Sequence, residues 1–214
     1  MTEVAKIENG TEIVDDLISC IVNNRDYLSE IDGAIGDGDH GINMAKGFNI
    51  CKHRIDGKNL SLSEAFEILS DSLMEGIGGS MGPLYGSIFA GWAEAIQGKS
   101  TLNSNEFKEM LSKGLHELQE ISSAKQGDKC LVDTLMPAIE GFKKANESGK
   151  TFHEALIIMK QAAHDGKEST RNLVAKIGRA SRLGERSKGI LDAGATSCCL
   201  LLTQLADSIS KRIP

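Results

Sequence analysis

The feature that most constrains this chain is the helical spacing of its apolar residues. In the clearest stretch they fall at positions i, i+1, i+4, i+5, i+8 and i+9, and these residues are Ile13, Val14, Leu17, Ile18, Ile21 and Val22. Residues at these intervals share one face of an α-helix, whereas a strand would show alternation of apolar and polar residues. The pattern predicts a first helix of about 20 residues with a single apolar face.

Other stretches carry the same helical signal. Two of them begin with the spacing of a capping box, Ser61 followed by Glu64 and Thr151 followed by Glu154. In this motif the two side chains bond the free N–H groups at the start of a helix. The remaining stretches lie near residues 41–56, 83–97, 105–122, 129–147 and 193–211. No stretch alternates as a strand should, so residues 1–214 are expected to form one all-α domain of about eight helices.

Composition argues against several classes of protein. With 30 acidic and 24 basic residues the formal charge is −6, which disfavours nucleic acid as a direct partner because phosphate binding needs clustered cations. No apolar run approaches the roughly 18 residues of a membrane span, so no membrane association is expected. The five cysteines are odd in number and include no C-x-x-C pair. Reduced thiols and a cytoplasmic location are therefore expected.

The most informative polar segment is Ile31–Gly41, where glycines separate three aspartates, Asp32, Asp37 and Asp39. Glycine permits sharp turns, so these short carboxylates can converge on one point, where they would repel one another unless a divalent cation bound them. Ligands that are all oxygen select a hard cation such as Mg²⁺ or Ca²⁺. A turn in which the aspartates bond backbone N–H groups is the alternative that the residues leave open.

Two further segments are candidates for anion binding. Gly78–Gly86 precedes a predicted helix, and its N–H groups together with the helix N-terminus suit a phosphate, although a tight turn between helices explains the same residues. In the segment 178–197, Arg179 is a candidate cation for a phosphate, while Asp192 is better explained as the N-cap of the last helix. Spacing indicates no Ser-His-Asp or Cys-His arrangement, so no catalytic residue is assigned.

Four strings of residues, taken together, resemble the nucleotide-binding L subunits of dihydroxyacetone kinase. The strings are AIGDGDHGINMAKGF, GGSMGPLYGS, GDKCLVDTLMP, and GRASRLGER with DAGATS, and the resemblance extends over residues 10–210. It implies a fold of eight antiparallel amphipathic helices that form a closed up-and-down barrel, with the nucleotide site at one end.

The resemblance also implies the ligands. In the family, three aspartates hold two Mg²⁺ ions that bridge the phosphates of ADP or ATP, and they correspond here to Asp32, Asp37 and Asp39. The positions that contact the nucleotide correspond to His40, Gly41, Ile42, Asn43, Ser80, Met81, Gly127, Met136, Arg179, Asp192, Ala193 and Gly194.

The reaction implied is phosphoryl transfer to dihydroxyacetone, which a separate K subunit holds. In the bacterial version the nucleotide stays bound, and the M subunit, a protein of the phosphotransferase system, rephosphorylates it. Such a transfer needs positioning and charge neutralisation more than a protein nucleophile. Two alternatives are a nucleotide-loaded regulatory module that binds a transcription regulator, and an ATP-dependent kinase subunit for another ketose-like substrate.

The chain departs from the family pattern at two single positions and in one segment. Met81 stands where the family usually has Ser, which removes a hydroxyl that could bond a phosphate. Cys130 stands where the family commonly has Thr. Residues 190–194 read Ile-Leu-Asp-Ala-Gly in place of His-x-Asp-Pro-Gly. The three aspartates are all retained, so metal and nucleotide binding are expected, while the triose as acceptor is the less secure expectation.

Overall fold

The computed structural model describes residues 3–214 of the chain. Within them, nine α-helices account for most of the structure, and two three-residue strands accompany them. The strands are β1 (Val4–Lys6) and β2 (Thr101–Asn103). The helices are α1 (Gly10–Asn23), α2 (Arg25–Ile35), α3 (His40–Ile55), α4 (Leu62–Gly76), α5 (Met81–Ala95), α6 (Ser104–Ile121), α7 (Val132–Glu147), α8 (Phe152–Ser169) and α9 (Ala193–Ser210).

The prediction of a mostly helical chain is confirmed, but the count of eight helices is wrong. The first helix is shorter than expected and ends at Asn23, and a separate helix α2 follows at Arg25. Asn24 lies between them, and its side-chain amide donates a hydrogen bond to the carbonyl of Cys20 at 2.8 Å. Asparagine side chains compete in this way with the backbone bonds of a continuing helix, which explains the break.

The expectation of no strand is also wrong. β1 and β2 pair antiparallel, with Ala5 opposite Leu102. Both residues are fully buried, while their neighbours along the strands are more exposed. Three residues are too short for alternation to stand out in a sequence, and the pairing joins segments that lie far apart along the chain.

The helices from α3 to α9 pack each against the next, and α1 packs against α3, α4 and α9. Their shared interior is apolar and holds two groups of aromatic rings. One group is Phe48, Phe66, Phe89 and Trp92; the other is Phe107, Phe142 and Phe152. Among the helices of residues 3–214, none combines the length and the apolar character needed to cross a bilayer.

The antiparallel packing of successive helices brings alternate helix ends together. The N-termini of α3, α5 and α9 and the segments after α4 and α6 line one cavity. A 3₁₀ segment, Arg179–Ser187, lies at the same end between α8 and α9. The residues that line the cavity therefore lie mostly where helices begin and end, and the apolar interior lies behind them.

Candidate metal and nucleotide site

Three aspartates meet at the junction of α2 and α3. Asp32 lies in the last turn of α2, so it is a helical residue rather than a loop residue as the sequence suggested. Asp37 follows in the connection, and Asp39 is the residue before the first turn of α3. One ligand oxygen from each carboxylate lies within 4.8 Å of those of the other two. The predicted convergence of the three side chains is thus present in the structure.

The turn between the helices accounts for this convergence. Gly38 has φ +78°, a left-handed conformation that L side chains rarely adopt, and it separates Asp37 from Asp39. The backbone N–H of His40 donates to Oδ2 of Asp32 at 3.3 Å, which ties the end of α2 to the start of α3. Clustered carboxylate oxygens of this kind suit a hard divalent cation such as Mg²⁺.

An arginine from a distant segment reaches the same carboxylates. Arg179, at the start of the 3₁₀ segment, forms an ion pair with Asp37. Its side chain is 60% exposed, so the guanidinium lies at the mouth of the cavity rather than in the interior. An arginine beside clustered carboxylates is a cation that can also pair with a phosphate.

The cavity beside these residues has a volume of about 770 Å³. Besides the three aspartates, eight residues predicted as nucleotide contacts line it: His40, Asn43, Ser80, Met81, Arg179, Asp192, Ala193 and Gly194. They come from α3, α5, the 3₁₀ segment and the start of α9. A volume of this order is typical of small-molecule sites.

Four other predicted contacts lie outside the cavity lining. Gly41 packs so closely on the carbonyl of Arg25 that a Cβ would collide with it. Ile42 is 57% exposed on the outer side of α3. The N–H of Gly127 donates to Oδ1 of Asp133 at 2.5 Å, and Met136 packs against the apolar interior. In this structure, Gly41 serves the close approach of two backbone segments, and Gly127 has a positive φ of +92°.

Two of the helices that begin at the cavity differ in how their N-termini are bonded. Ser80 precedes α5 and makes no side-chain hydrogen bond to that helix. At α9, the carboxylate of Asp192 accepts from the N–H of Ala195 at 2.7 Å, which confirms the prediction that Asp192 is an N-cap. Burial raises the pKa of Asp192 to about 6, although the N–H bond and nearby Lys129 oppose this rise.

A buried hydrogen-bond network joins α3, α5 and α9, and two of its members were missed from the sequence. Nε2 of His40 lies 2.8 Å from Oγ of Ser197, and that Oγ lies 2.7 Å from the hydroxyl of Tyr85. The Tyr85 hydroxyl also donates to the carbonyl of Gly194 at 3.0 Å. Burial lowers the pKa of His40 to about 4, against the opposing effect of Asp32, so the ring is neutral at pH 7.

Lys129, which lines the cavity, is a third residue that the sequence did not indicate. It is 1% exposed, and its ammonium donates to three backbone carbonyls. Burial lowers its pKa, and Asp192 opposes the change. Tyr85, Ser197 and Lys129 all belong to the strings that carried the family resemblance, which is the only sequence signal that pointed near them.

The three departures from the family pattern have clear places in the structure. Met81 is the first residue of α5, half-buried against the apolar interior, and its backbone remains at the cavity. The N–H of Cys130 donates to Asp133 at 2.8 Å, and burial raises the thiol pKa to about 12. In the segment 190–194, Leu191 is buried and the carbonyl of Ile190 accepts from Lys129.

The packed helices and the cavity define a class of protein: a helical domain with a cluster of three carboxylates and a cavity at one end of its helices. Residues 34–207 match the family model described as DAK2 domain. The chain belongs to this family.

Individual relatives agree with that assignment. The ADP-binding subunit DhaL of PEP-dependent dihydroxyacetone kinase 2 from Listeria innocua is 34% identical over 204 residues, which are 94% of each chain. The ADP-binding subunit DhaL of PEP-dependent dihydroxyacetone kinase from Escherichia coli K12 is 32% identical over 200 residues, 92% of this chain and 95% of that one. The resemblance to L subunits is therefore confirmed.

A solved structure extends the comparison to the fold. The dihydroxyacetone kinase from C. freundii, in complex with AMP-PNP and Mg²⁺, matches 92% of this chain with a TM-score of 0.69 and 23% identity. The match covers 33% of that longer protein, so this chain corresponds to about a third of it.

Proposed function

We propose that this chain is the nucleotide-binding subunit of a PEP-dependent dihydroxyacetone kinase. It carries ADP or ATP with Mg²⁺, accepts a phosphoryl group from the phosphotransferase-system M subunit, and passes it to dihydroxyacetone held on a K subunit. The observation that carries the proposal is the convergence of Asp32, Asp37 and Asp39 at a cavity that three helix N-termini also face. The two DhaL relatives, which match nearly the whole chain, support it.

The three carboxylates fit the metal that the proposal requires. They are hard oxygen ligands, and they lie close enough together to share one or two cations. Bound Mg²⁺ supplies neutralisation of the phosphate charge, and two ions would bring four positive charges to the site. The count of two Mg²⁺ is part of the proposal, and the C. freundii kinase, which was solved with AMP-PNP and Mg²⁺, supports the presence of the metal.

The phosphates would lie between the carboxylates and the start of α5. Ser80 leaves the first N–H groups of α5 without a side-chain partner, and such groups at a helix N-terminus bind anions. Because the backbone rather than a hydroxyl provides these donors, Met81 in place of Ser does not remove them. Arg179 adds a positive charge on the other side, at Asp37.

The other predicted nucleotide contacts have unequal support. His40, Asn43, Asp192, Ala193 and Gly194 line the cavity, which supports their proposed role. For Gly41, Ile42, Gly127 and Met136, which lie outside its lining, nucleotide contact stays a prediction. No general base is assigned, because positioning and charge neutralisation supply most of the catalysis in phosphoryl transfer.

Two structural features belong to the same proposal. We infer a closed up-and-down barrel, supported by the packing of α3 to α9 in succession and by the contact of α1 with both α9 and α3. We also infer that residues 1–214 form a single domain. The cytoplasmic location expected from the cysteines stays a prediction.

Native mass spectrometry of the purified chain, with acid release of bound nucleotide, tests the proposal first. Retained ADP with two Mg²⁺ ions is the expected result. A protein that arrives empty and also fails to take up Mg–ADP would contradict it.

The variant Asp37→Asn tests the metal site. It replaces one carboxylate by a neutral amide. We therefore expect the affinity for Mg–ADP to fall at least about tenfold, measured by calorimetry in the presence of Mg²⁺. Asp26→Asn is the matched control, because Asp26 is exposed on α2 and lies outside the cavity lining. Unchanged affinity in Asp37→Asn would remove Asp37 from the site.

Assays on the same purified protein distinguish the proposed subunit role from the two alternatives, the regulatory module and the ATP-dependent kinase subunit. Phosphoryl transfer that requires K-like and M-like partners supports the subunit role. Nucleotide binding with capture of a transcription regulator and no turnover would favour the regulatory module. Rapid exchange of free ADP and ATP would favour an ATP-dependent kinase subunit for another ketose-like substrate.

A further inference from the structure

Lys129 is a buried cation in an unusual backbone conformation. Its φ is +63°, and among residues 3–214 it is the one non-glycine residue with a positive φ. L side chains adopt this left-handed region rarely, and non-glycine residues held there tend to cluster at functional sites. The residue is 1% exposed and lines the cavity just before α7.

The ammonium of Lys129 uses all of its hydrogen-bonding capacity on backbone carbonyls. Nζ donates to the carbonyls of Thr170 at 2.7 Å, Leu173 at 3.3 Å and Ile190 at 2.6 Å. A protonated lysine has three donors, and each has a partner here. The first two acceptors precede residues 174–189 and the third follows them. We call residues 174–189 the cavity loop.

The two ends of the cavity loop are also bonded to each other close to the ammonium. The N–H of Gly189 donates to the carbonyl of Arg171 at 2.7 Å. The N–H of Asp192 donates to Oγ1 of Thr170 at 3.1 Å. Lys129 therefore lies at the point where the chain leaves for the loop and returns from it.

The cavity loop carries the arginine that meets the metal ligands. Arg179 is exposed at the loop's outer part, where it pairs with Asp37. Within residues 3–214, this ion pair is the contact that holds the guanidinium of Arg179. The position of Arg179 therefore depends on the direction in which the loop extends from the helices. Neutral hydrogen bonds at the loop ends would hold this geometry less strongly than bonds to a charged donor.

We propose that Lys129 is a positioning residue whose ammonium fastens both ends of the cavity loop and so holds Arg179 over the three aspartates. Its effect on nucleotide binding rests on the proposed function, whereas its effect on the loop does not. Two measurements therefore address the loop and the nucleotide separately.

Limited digestion with trypsin measures the loop without any nucleotide. The cleavage sites of the loop are Lys176, Arg179, Arg182, Arg186 and Lys188. In Lys129→Met, which keeps the side-chain length and removes the three donors, we expect cleavage in the loop at least tenfold faster with unchanged helical circular dichroism. Lys143→Met, an exposed position on α7, is the control and should match the unmutated protein. Equal cleavage rates in Lys129→Met and the control would overturn the proposal.

A double-mutant cycle measures whether Lys129 acts through Arg179. The probe is a fluorescent ADP analogue with Mg²⁺, and the readout is its dissociation rate. We expect Lys129→Met to raise this rate at least tenfold in the unmutated background and less than twofold when Arg179→Met is already present. Equal factors in both backgrounds would show independent action, and this result would overturn the positioning role.

Further variants keep the test decisive. Lys129→Arg retains a charged donor and should restore part of the slow dissociation, which a role in filling space alone would not predict. If Lys129→Met does not fold, Lys129→Gln takes its place, and failure of both to fold would assign Lys129 to global stability and reject the proposal. If the unmutated protein binds no analogue, the proposed function fails while the digestion still decides the role of Lys129.

Discussion

The helices that begin at the cavity and those that begin at the opposite end differ in how their first backbone N–H groups are bonded. At the end remote from the cavity, α4, α6 and α8 each begin with a full capping box, formed by Ser61 with Glu64, Asn103 with Glu106, and Thr151 with Glu154. At the cavity end, the residues at the N-cap positions of α3, α5 and α7 make no side-chain bond to their helices. The cavity lining includes the segments that follow α4 and α6, so their N-termini lie one helix length away, about 22 Å for the 15 residues of α4.

The contrast distinguishes helix starts that contribute to stability from helix starts that are open to a ligand. The first N–H groups of a helix have no partner within the helix and carry the positive end of its dipole. In α4, α6 and α8, which begin away from the cavity, the chain bonds these groups with its own side chains. At the start of α5, which faces the cavity, these groups have no side-chain cap, and an anion can bind them.

Helix α9 differs from α5, because it also begins at the cavity and yet has a side-chain cap. Asp192 provides this cap from a half-buried position, and desolvation there raises its pKa from 3.8 to about 6. The carboxylate thus bonds the helix N-terminus, but its charge is held in surroundings that disfavour it. This difference allows the comparison to be tested by pH as well as by mutation.

The largest expected effect concerns Asp192. Between pH 3.8 and about 6 the folded protein keeps a proton on Asp192 that the unfolded chain releases, so stability is lost as the pH rises through this range. Asp192→Asn keeps a good cap and cannot ionise. Since each pH unit between the two pKa values is worth about 1.4 kcal/mol, the unmutated protein should lose about 3 kcal/mol relative to Asp192→Asn.

Urea unfolding at pH 4, 5, 6 and 7, without nucleotide or metal, measures this difference. The control Asp26→Asn changes a side chain that is 86% exposed and should follow the unmutated protein. A constant difference between the unmutated protein and Asp192→Asn over this pH range would contradict the raised pKa of the carboxyl group.

The second prediction removes a cap at the remote end. Ser61 accepts from the N–H of Glu64 at 3.3 Å, and Glu64 accepts from the N–H of Ser61 at 2.8 Å. Ser61→Ala should therefore lower the free energy of unfolding by about 1 kcal/mol. The affinity for Mg–ADP should not change, because the cap lies outside the cavity. Calorimetric affinity and urea unfolding on the same sample check both parts, and a loss of affinity would show that the two ends are coupled.

The smallest effect is expected from the matching change at the cavity end. Ser80 occupies the N-cap position of α5, is exposed, and makes no side-chain bond to the helix. Ser80→Ala should change the free energy of unfolding by less than about 0.5 kcal/mol, measured by urea unfolding beside Ser61→Ala. If its destabilisation equals that of Ser61→Ala, the distinction between the two ends is wrong.

The remote end was largely predictable from the sequence. The capping boxes at Ser61 and Thr151 are local patterns, since each joins residues three apart. The third, at Asn103, has the same spacing and was missed because asparagine replaces Ser or Thr as the cap. Its signal was present in the sequence, so the miss was avoidable.

The cavity was predictable only in part. The aspartates stand close together along the chain, separated by glycines, so their convergence could be expected from the sequence. The network of His40, Ser197 and Tyr85 could not, because Ser197 is 157 residues from His40 and each residue alone suits an ordinary helix. The same holds for the pairing of β1 with β2, where three residues carry no periodic signal.

By itself, the sequence determined the helices, two of the caps at the remote end and the acidic cluster, since each depends on interactions between residues a few positions apart. Only the tertiary structure decided that Arg179 meets Asp37 and that Lys129 bonds both ends of the cavity loop. These features depend on contacts between distant segments, which form when the apolar faces of the helices pack together.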